Sequence, residues 1–489
     1  MKLKKILQSL DSYKALGKIN DFEIKGITCD SNKVDEDFLF VAVKGVCLDG
    51  HSFIKQAIKR GAKAIIAEKL SINLHGADNI AFIEVRDSRS SLAELAACFY
   101  NYPSSKLKIV GVTGTNGKTT ITYLLEAILK EAGFNPAVIG TVNYRFNDKI
   151  IPSKNTTPGP VELQAMLKQM GEENCDYAVM EVSSHALDQQ RIKAINFHSA
   201  IFTNLGQEHL DYHKNTEEYF KAKARLFREL MPGSFAVINN DDEYAQKLKE
   251  ITSAEKIFTY GLKKESDITA GEIKSGINGI QFKLKKFSEE INLSSRLIGN
   301  HNLYNILACI AWAIAEKIDF SCIQSVIEEF NYIPGRLEKI DSSSGFSIFV
   351  DYAHTPEALS SVLSALRSLA KARIIVVFGC GGERDKSKRP GMGRVATQLA
   401  DYVIITSDNP RSENPAEIIS DIRKGIKKRN YCIIPNRKEA IVNSLALAKR
   451  EDIILVAGKG HEDYQVFKDK RIHFDDRQVI RECLKLLNS

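Results

Sequence analysis

One glycine-rich segment of the chain carries the residue types that bind phosphate. A β-branched run ends at Thr113, and an amphipathic stretch, 121–132, follows the segment. The segment itself reads Gly114, Thr115, Asn116, Gly117, Lys118, Thr119 and Thr120. Glycines let backbone N–H groups close around phosphate oxygens, a helix start adds its positive dipole end, a lysine adds charge, and a threonine hydroxyl can hold Mg²⁺. The segment therefore predicts a phosphate loop that serves a nucleoside triphosphate.

The glycine spacing of this segment departs from the strict pattern. The pattern G-x-x-x-x-G-K-[ST] requires glycine at position 112, where the chain has valine. We therefore predict a variant loop built on Gly111, Gly114 and Gly117.

Polar clusters farther along the chain follow apolar runs. Glu181 comes after the strand-like run 177–179, and carboxylates at the carboxyl ends of strands are typical metal and nucleotide ligands in open α/β sheets. His209 lies in a crowded set of histidines and carboxylates, 208–213, which could bind a metal but is more often a surface turn. Asn155-Thr156-Thr157-Pro158 has the composition of a turn. The basic stretch 219–227 predicts a solvated helix face, and nothing in the pattern singles out Lys223.

Helix-like periods alternate with short β-branched runs such as 64–67, 200–203 and 373–378, which predicts parallel α/β sheets. Breaks at 101–105 and 332–336 divide the chain. We predict three domains, 1–103, 104–333 and 334–489.

Composition excludes several classes of protein. No apolar run approaches the roughly 18 residues of a membrane span, and the apolar region within residues 1–10 is too short for a signal peptide, so we expect a cytoplasmic protein. Nine scattered cysteines without a C-x-x-C pair predict reduced, mostly buried thiols. The net charge of +7 is dispersed, which favours polyanionic small molecules over nucleic acid as ligands.

Further motifs occur in order along the chain: Asn155-Thr156-Thr157, Glu181-Val182-Ser183-Ser184-His185, His209-Leu210-Asp211-Tyr212-His213, Gly299-Asn300-His301-Asn302-Leu303-Tyr304-Asn305, Pro334-Gly335-Arg336-Leu337-Glu338, Val350-Asp351-Tyr352-Ala353-His354-Thr355-Pro356, Phe378-Gly379-Cys380-Gly381-Gly382-Glu383-Arg384-Asp385 and Gly458-Lys459-Gly460-His461-Glu462. With the phosphate loop, this series resembles the Mur ligase family. The likeness extends from Asp30 to Arg477, which is nearly the whole chain.

The resemblance implies a fold and an activity. The fold would comprise a small N-terminal α/β domain, a central P-loop ATPase-type domain with a mostly parallel sheet, and a C-terminal Rossmann-like α/β domain. The activity would be ATP-dependent amide ligation in peptidoglycan precursor synthesis, in which meso-diaminopimelate is added to the D-glutamyl γ-carboxylate of UDP-N-acetylmuramoyl-L-alanyl-D-glutamate. ATP as co-substrate, two Mg²⁺ ions and a monomer with no nucleic-acid partner and no membrane span are expected.

The resemblance also assigns roles to residues. Lys118 would bind the β- and γ-phosphates, while Thr119, Glu181 and His209 would position Mg²⁺. Lys223 matches a carbamylated lysine that also binds metal, which would contradict the solvated face predicted above. The remaining nucleotide contacts would be Asn302, Asn305, Arg336 and Asp351. The UDP-muramoyl dipeptide would contact Cys29, Ser31, Val46, Cys47, Leu48, Asn155, Thr156, Thr157, Ser183, Gln189 and Arg191. Cys29 stands where an aliphatic residue is expected, and a buried thiol is a small hydrophobe that can replace it.

The identity of the acceptor amino acid depends on Asp408-Asn409-Pro410-Arg411. The planar guanidinium of Arg411 suits a carboxylate and repels the ammonium of a lysine side chain. The motif resembles that of diaminopimelate-adding enzymes, and lysine-adding relatives lack the arginine. The acceptor site would consist of Arg384, Asp408, Asn409, Pro410, Arg411, Gly458 and Glu462.

Three other interpretations stay open. One is an L-lysine-adding ligase, and another is a folylpolyglutamate synthetase-like ligase, which would share the phosphate loop but would not need residues 1–101 or Arg411. The third is a nonenzymatic nucleotide switch that uses the loop to order a segment for a partner.

Overall fold

The computed structural model describes residues 1–45, 48–70, 79–206, 208–286, 289–468 and 470–487. Val46 and Cys47 of the predicted uridine diphosphate site lie outside these residues. The chain forms two compact units, unit 1 with Met1–Thr269 and Leu307–Ile323 and unit 2 with Ala270–Ile306 and Gln324–Ser489. The bounds of the three predicted domains stay predictions, and each of the three large sheets lies within one of the predicted segments.

The first sheet belongs to unit 1. Its elements, with their helices, are α1 (Leu3–Leu7), β1 (Lys14–Ala15), β2 (Gly26–Thr28), β3 (Phe38–Val41), α2 (Ile54–Lys59), β4 (Ala62–Ala67), β5 (Ala81–Glu84) and α3 (Ser88–Phe99). The strand order is β1-β5-β4-β3-β2, and only β1 is antiparallel. The Asp87 carboxylate caps α3 by accepting from the backbone N–H groups of Arg89 and Ser90.

The second sheet forms most of unit 1. Its elements are β6 (Lys108–Thr113), α4 (Lys118–Glu131), β7 (Pro136–Ile139), β8 (Asn143–Phe146), β9 (Lys149–Pro152), α5 (Pro160–Glu172), β10 (Tyr177–Glu181), α6 (Ser184–Asp188), β11 (Phe197–Phe202), α7 (Leu210–His213), α8 (Thr216–Arg228), β12 (Phe235–Asn239), α9 (Ala245–Ile251) and β13 (Lys256–Gly261). The order of these strands is β13-β12-β11-β6-β10-β7-β8-β9, and the β7–β8 and β8–β9 pairs are antiparallel. The central strands β6, β10 and β11 are almost wholly buried, as expected for parallel strands covered on both faces.

Five elements follow β13 in the chain. They are β14 (Ile268–Gly276), β15 (Gly279–Lys286), β16 (Glu289–Ser295), α10 (Asn300–Ala315) and α11 (Phe320–Glu329). The three strands among them complete the eleven-stranded order of this sheet as β16-β15-β14-β13. Strands β15 and β16 form an antiparallel hairpin. The division between the units falls within β14, α10 and α11.

The third large sheet lies in unit 2. Its elements are β17 (Glu338–Ile340), β18 (Ser347–Asp351), α12 (Pro356–Leu369), β19 (Ile374–Phe378), α13 (Lys388–Leu399), β20 (Tyr402–Ile405), α14 (Pro415–Arg423), β21 (Tyr431–Ile433), α15 (Arg437–Leu447), β22 (Ile453–Ala457), the hairpin β23 (Tyr464–Phe467) and β24 (Lys470–His473), and α16 (Asp476–Leu487). The sheet order is β17-β18-β22-β19-β20-β21, and only β17 is antiparallel. Helices α12, α13 and α14 pack on one face and α15 and α16 on the other. Such a doubly wound sheet confirms the predicted Rossmann-like architecture.

The predicted fold class is confirmed, since parallel α/β sheets dominate all three segments. Most of the described cysteines are buried, as predicted. None of the helices in the described ranges is long and apolar enough to cross a membrane.

Candidate active site

The phosphate loop joins the carboxyl end of β6 to the first turn of α4. Gly114 and Gly117 have φ angles of 146° and 92°, in the region that favours glycine. A Cβ added to Gly114 would also lie 1.8 Å from Oγ1 of Thr203. The Asn204 side chain accepts a hydrogen bond from the backbone N–H of Asn116 at 3.0 Å. The loop is therefore held by the residues that follow β11.

Gly111 does not belong to this loop. It lies inside β6, where an added Cβ would be 2.8 Å from the ring of Phe197 and 3.2 Å from the side chain of Leu226. The prediction that Gly111 forms part of the loop is wrong, because β11 and α8 pack closely on the backbone there.

Two lysines share one carbonyl of the loop. The Nζ atoms of Lys118 and Lys223 both donate to the carbonyl oxygen of Gly114, at 2.8 and 2.9 Å. Burial and the charge of Lys118 lower the pKa of Lys223 well below its ordinary value, against a weaker opposing effect of Glu208. Burial therefore favours the neutral amine of Lys223, which is the form that adds to carbon dioxide to give a carbamate.

The prediction of a solvated helix face is wrong for Lys223. The side chain is 2% exposed and lies on the apolar face of α8 that Tyr219 and Phe227 define. Its Nζ is 4.5 Å from the centroid of the Tyr219 ring. Lys221, by contrast, lies on the exposed face and forms an ion pair with Glu218 at 2.8 Å.

Glu181 ends β10 and is buried beside the phosphate loop. Its Oε1 accepts from the hydroxyl of Thr119 at 3.0 Å and from the backbone N–H of Thr141 at 2.9 Å, and its Oε2 accepts from the Thr141 hydroxyl at 2.9 Å. All three donors are uncharged groups. A carboxylate and a hydroxyl in contact are the oxygen ligands that Mg²⁺ prefers, so Thr119 and Glu181 fit such an ion. Within the described residues, no group of three His, Cys, Asp or Glu side chains is placed to hold a metal by itself.

His209 lies near the same helix as Lys223. Its ring centroid is 4.8 Å from that of His185 and 6.3 Å from that of Tyr219, whose ring also contacts Lys223. Its Nε2 is 3.9 Å from the carboxylate of Glu208, and its side chain is 43% exposed. His209 and Lys223 thus both lie near the ring of Tyr219.

Four predicted substrate-binding residues of the central segment form one hydrogen-bonded network. The Thr157 hydroxyl donates to the Glu181 carbonyl at 2.7 Å and accepts from the backbone N–H of Ser183 at 3.0 Å. The Arg191 guanidinium donates to the Thr157 carbonyl at 2.8 Å and to the Gln189 side chain at 2.8 Å. This network extends from the candidate metal ligand Glu181 to the partly buried guanidinium of Arg191.

Thr156 and Asn155 lie beside this network. The Thr156 hydroxyl is 3.0 Å from that of Thr141, which also bonds Glu181. The Asn155 side chain is exposed, while its backbone carbonyl accepts from the Tyr144 hydroxyl at 2.6 Å.

Of the residues predicted to bind uridine diphosphate, Cys29 and Ser31 follow β2 and Leu48 follows β3. The Ser31 hydroxyl is buried and donates to Gln56 at 3.2 Å. Leu48 is 68% exposed. Cys29 is exposed, so the prediction of a buried thiol there is wrong. The residues of β2 are buried, but Cys29 comes after the end of that strand.

The predicted nucleotide residues of unit 2 occupy α10 and the start of the third sheet. The buried side chains of Asn302 and Asn305 bond each other at 3.2 Å. The Asp351 carboxylate accepts from the backbone N–H groups of Leu337 and Ala353 at 2.7 and 2.8 Å. Burial raises the pKa of Asp351, and the charge of Arg336 opposes that effect.

The acceptor residues predicted in unit 2 are brought together at the carboxyl ends of β20 and β22. Asn409 donates to the Glu462 carboxylate at 2.7 Å. A Cβ on Gly458 would lie 2.8 Å from a carboxylate oxygen of Asp408, so glycine permits this close approach. Burial and the charge of Asp408 raise the pKa of Glu462, while Lys459 lowers it.

Arg411 and Arg384 flank the turn at Gly381. A Cβ on Gly381 would be 3.1 Å from Arg411 and 3.7 Å from Arg384. The Arg411 guanidinium donates to the carbonyl of Gly382 at 2.6 Å. A Cβ on Gly382 would lie 2.0 Å from the carbonyl oxygen of Pro410, so this turn packs directly on the predicted motif.

Sequence reasoning missed Thr141, Lys459 and Arg437 at these sites. Thr141 bonds both oxygens of Glu181, and Lys459 is fully buried with its Nζ 3.2 Å from Glu462. A signal existed for Thr141, because Gly140-Thr141 follows the apolar strand β7, just as the phosphate loop follows β6. No local pattern identifies Arg437.

A phosphate loop at the carboxyl edge of a parallel sheet, beside a buried carboxylate, defines a nucleotide-binding α/β protein of the P-loop class. Three family models match the chain, described as Mur ligase family, catalytic domain (23–100), Mur ligase middle domain (112–313) and Mur ligase, glutamate ligase domain (335–460). The chain belongs to the Mur ligase family.

Relatives match the chain along its whole length. A protein of Clostridium tetani (strain Massachusetts / E88) named UDP-N-acetylmuramoyl-L-alanyl-D-glutamate--2,6-diaminopimelate ligase is 44% identical over 492 residues, covering 100% of both chains. A solved structure of a ligase with that name is 31% identical, with a TM-score of 0.71 and 100% coverage of both chains. MurF ligase from Thermotoga maritima in complex with ADP shares the fold, with 20% identity, a TM-score of 0.61 and coverage of 94% of this chain and 97% of that one.

Proposed function

We propose that this protein is an ATP-dependent amide ligase that adds meso-diaminopimelate to the D-glutamyl γ-carboxylate of UDP-N-acetylmuramoyl-L-alanyl-D-glutamate, as a step in peptidoglycan precursor synthesis. The observation that carries the proposal is the contact of Thr119 with Glu181 beside the phosphate loop, in a chain that matches a ligase of this name over its full length. We propose that it acts in the cytoplasm, where ATP is available, and as a monomer.

The chemistry follows from the weakness of a carboxylate as an electrophile. The γ-phosphoryl group of ATP is transferred to the D-glutamyl γ-carboxylate, giving an acyl phosphate and ADP. The neutral amine of the acceptor attacks the acyl carbon, the bond to phosphate breaks, and an amide and phosphate remain. Lys118 offsets negative charge on the phosphate oxygens during the first transfer.

Four groups would hold the two Mg²⁺ ions: Thr119, Glu181, His209 and the carbamate of Lys223. When bound, Mg²⁺ supplies positive charge to the phosphate oxygens. A carbamate at Lys223 would turn a buried neutral amine into an oxygen ligand. The low pKa of Lys223 supports this modification.

Further residues are proposed to contact the two nucleotide substrates. Thr157, Ser183 and Arg191 would bind the muramoyl dipeptide near the reacting carboxylate, with Asn155, Thr156 and Gln189. Cys29, Ser31, Val46, Cys47 and Leu48 would contact the uridine diphosphate. Asn302 and Asn305 would lie near the adenine, Arg336 near the phosphates and Asp351 at the ribose.

The acceptor preference is proposed to depend on charges of both signs in the cluster around Asn409. Arg411, with Arg384, would bind the distal carboxylate of diaminopimelate, and Glu462 the distal ammonium. Arg411→Ala should therefore reduce kcat/KM for diaminopimelate by about 10- to 100-fold, because a bidentate charged hydrogen bond is lost, and leave KM for ATP unchanged. Steady-state kinetics on both substrates would measure this. Unchanged diaminopimelate kinetics would refute the assignment of Arg411.

The experiment that tests the whole proposal is phosphate release by the purified protein with ATP, Mg²⁺ and UDP-N-acetylmuramoyl-L-alanyl-D-glutamate. Diaminopimelate and L-lysine are offered separately, and mass spectrometry identifies the product. Turnover with diaminopimelate alone is expected. Turnover with lysine would refute the acceptor assignment, and no turnover with either would favour the folate-type ligase or the nucleotide switch.

A further inference from the structure

A fully buried ion pair lies beneath the acceptor cluster of unit 2. Arg437 begins α15 and Asp476 begins α16, and neither side chain has exposed area. The guanidinium donates from Nε and Nη2 to the two carboxylate oxygens of Asp476, each at 2.7 Å. This is the planar, two-point pairing that arginine forms and lysine cannot.

The same guanidinium reaches two backbone carbonyls. Its Nη2 donates to the carbonyl of Ala457 at 3.0 Å, and its Nη1 donates to the carbonyl of Ser407 at 3.5 Å. Ala457 ends β22 and immediately precedes Gly458, and Ser407 immediately precedes Asp408. One side chain thus connects the two strand ends from which the acceptor loops start.

The charge of Arg437 also acts on the acceptor carboxylates. Burial opposes its positive charge, but Asp476, and then Asp408 and Glu462, outweigh burial and raise the pKa of Arg437. The attraction is mutual, so the charge of Arg437 favours the ionised form of Glu462, against the burial that raises the pKa of that carboxyl. An ionised Glu462 is the form that attracts a substrate ammonium.

We propose that Arg437 is a positioning residue for the acceptor amino acid, holding the loops at 407–411 and 457–462 in the arrangement that binds it. Arg437 does this through the carbonyls of Ser407 and Ala457, with Asp476 fixing the guanidinium plane. This inference rests on the proposed function, because it assumes that the Asp408–Glu462 cluster binds an acceptor amine.

A second arginine–aspartate pair, whose arginine is 41% exposed, lies at the opposite end of the strands of the same sheet and provides a control. Arg373 precedes β19 and pairs with the buried Asp452, which precedes β22, at 2.6 Å. Arg373 also donates to a backbone carbonyl, that of Leu447, at 2.9 Å. The pair therefore fixes the third sheet by similar contacts, but at the amino ends of its strands, away from the acceptor loops.

The test compares Arg437→Met/Asp476→Leu with Arg373→Met/Asp452→Leu. Each double variant removes both charges, so that no unpaired charge stays buried, and apolar replacement of a buried pair is often tolerated. We expect the Arg437 variant to raise KM for diaminopimelate by about 10- to 100-fold, because misplacement of binding groups by about 1 Å has effects of that size. KM for ATP should stay unchanged, and the Arg373 variant should leave both values unchanged.

The reaction with hydroxylamine distinguishes a loss of acceptor binding from a general loss of structure. Hydroxylamine attacks the acyl carbon of an acyl phosphate, so that a C–N bond forms, the bond to phosphate breaks and a hydroxamate is released. Because hydroxylamine needs no acceptor pocket, the Arg437 variant should form hydroxamate at the wild-type rate. Equal losses of hydroxamate, diaminopimelate turnover and thermal stability would mean a general structural role and would overturn the proposal.

The remaining outcomes separate the two proposals. If the wild-type protein forms neither hydroxamate nor amide, the proposed function fails, whereas a working wild type with unchanged diaminopimelate KM in the variant overturns the positioning role alone. If the double variant does not fold, Arg437→Lys keeps the charge but cannot bond Asp476 and both carbonyls together. Arg437→Lys should then show the same selective rise in KM, and a wild-type KM would overturn the proposal.

Discussion

The two ends of the central sheet of unit 1 use the same residue types in opposite ways. At the carboxyl ends of its strands lie Glu181 and Lys223, and at the amino ends lie Glu316 and Lys108. At the amino ends, the Glu316 carboxylate accepts from Lys108, from His198 at 2.6 Å and from the Tyr177 hydroxyl at 2.8 Å. At the carboxyl ends, Glu181 accepts from uncharged groups and Lys223 donates to a carbonyl.

This difference appears in the pKa values. Burial disfavours the ionised form of Glu316, but the hydrogen bonds from His198, Lys108 and Tyr177 outweigh it and lower the pKa of Glu316 to about 2. Burial and the charge of Lys118 lower the pKa of Lys223 well below its ordinary value, and the opposing charge of Glu208 does not offset them. The charged groups at the amino end thus pair with one another and stabilise the fold. The polar groups at the carboxyl end are arranged to bind a ligand. Four changes test this contrast.

The largest effect is expected for Lys223→Met, which keeps the apolar stem and removes the amine. We expect kcat to fall by about 10²- to 10³-fold, as when a group that stabilises transition-state charge is removed. The thermal midpoint should not fall, because burial disfavours the charged form of this amine and makes the side chain costly to bury. Lys221→Met on the exposed face of α8 is the matched control and should leave kcat unchanged. A wild-type kcat for Lys223→Met would contradict the assignment of a catalytic role to Lys223 at the carboxyl end of the sheet.

Glu181→Gln should have the next largest effect. The amide keeps the shape of the side chain and an acceptor for the Thr119 hydroxyl, but it is a poor Mg²⁺ ligand. We expect the Mg²⁺ concentration for half-maximal activity to rise by about 10- to 100-fold. A Mg²⁺ titration of the initial rate measures this. The same substitution at Glu316 should not shift the titration, and equal shifts would show that the two carboxylates are not functionally distinct.

The sequence predicted the carboxyl end of this sheet better than the amino end. Phosphate loops and carboxylates after strands are local patterns, so Lys118, Thr119 and Glu181 were identified directly from their neighbours in the chain. Lys223 was not, because its basic neighbours suggested a solvated face. Its spacing from Tyr219 and Phe227, four residues on either side, was the signal that places it on the buried face.

The amino end could not be predicted from local patterns. Lys108, Tyr177, His198 and Glu316 are far apart in the chain and meet only because β6, β10 and β11 are neighbours in the sheet. The same limit applies to Arg437, whose partners at 407, 457 and 476 come from three separate segments. Strand order and the positions of helix ends, rather than local propensity, determine both clusters.

Glu316→Gln should affect stability and not catalysis. The amide loses the charge that attracts Lys108 and His198, in a side chain that is 5% exposed. We expect a loss of about 1–3 kcal/mol in unfolding free energy, the range for a buried hydrogen-bonded charged group, with kcat and KM unchanged. Urea unfolding and steady-state kinetics on the same samples measure both. A fall in kcat without loss of stability would contradict the assignment of this end to the fold.

The dependence of stability on acid pH also tests the contrast between the two ends of the sheet. Its expected effect at any one pH is the smallest of the four. The pKa of Glu316 is about 2 in the folded protein and about 4.3 when unfolded, so its ionised form stabilises the fold above about pH 4.3. That contribution is lost as the pH falls towards 2, because the unfolded chain takes up the proton first. The part of the stability difference between the wild type and Glu316→Gln that comes from the ionisation of Glu316 should therefore be fully present above about pH 5 and shrink below it. Urea midpoints measured at several pH values would give this curve. A difference that stays constant down to acid pH would show that the pairing of Glu316 depends on shape rather than charge, and the two ends of the sheet would then no longer differ in the way the pKa values indicate.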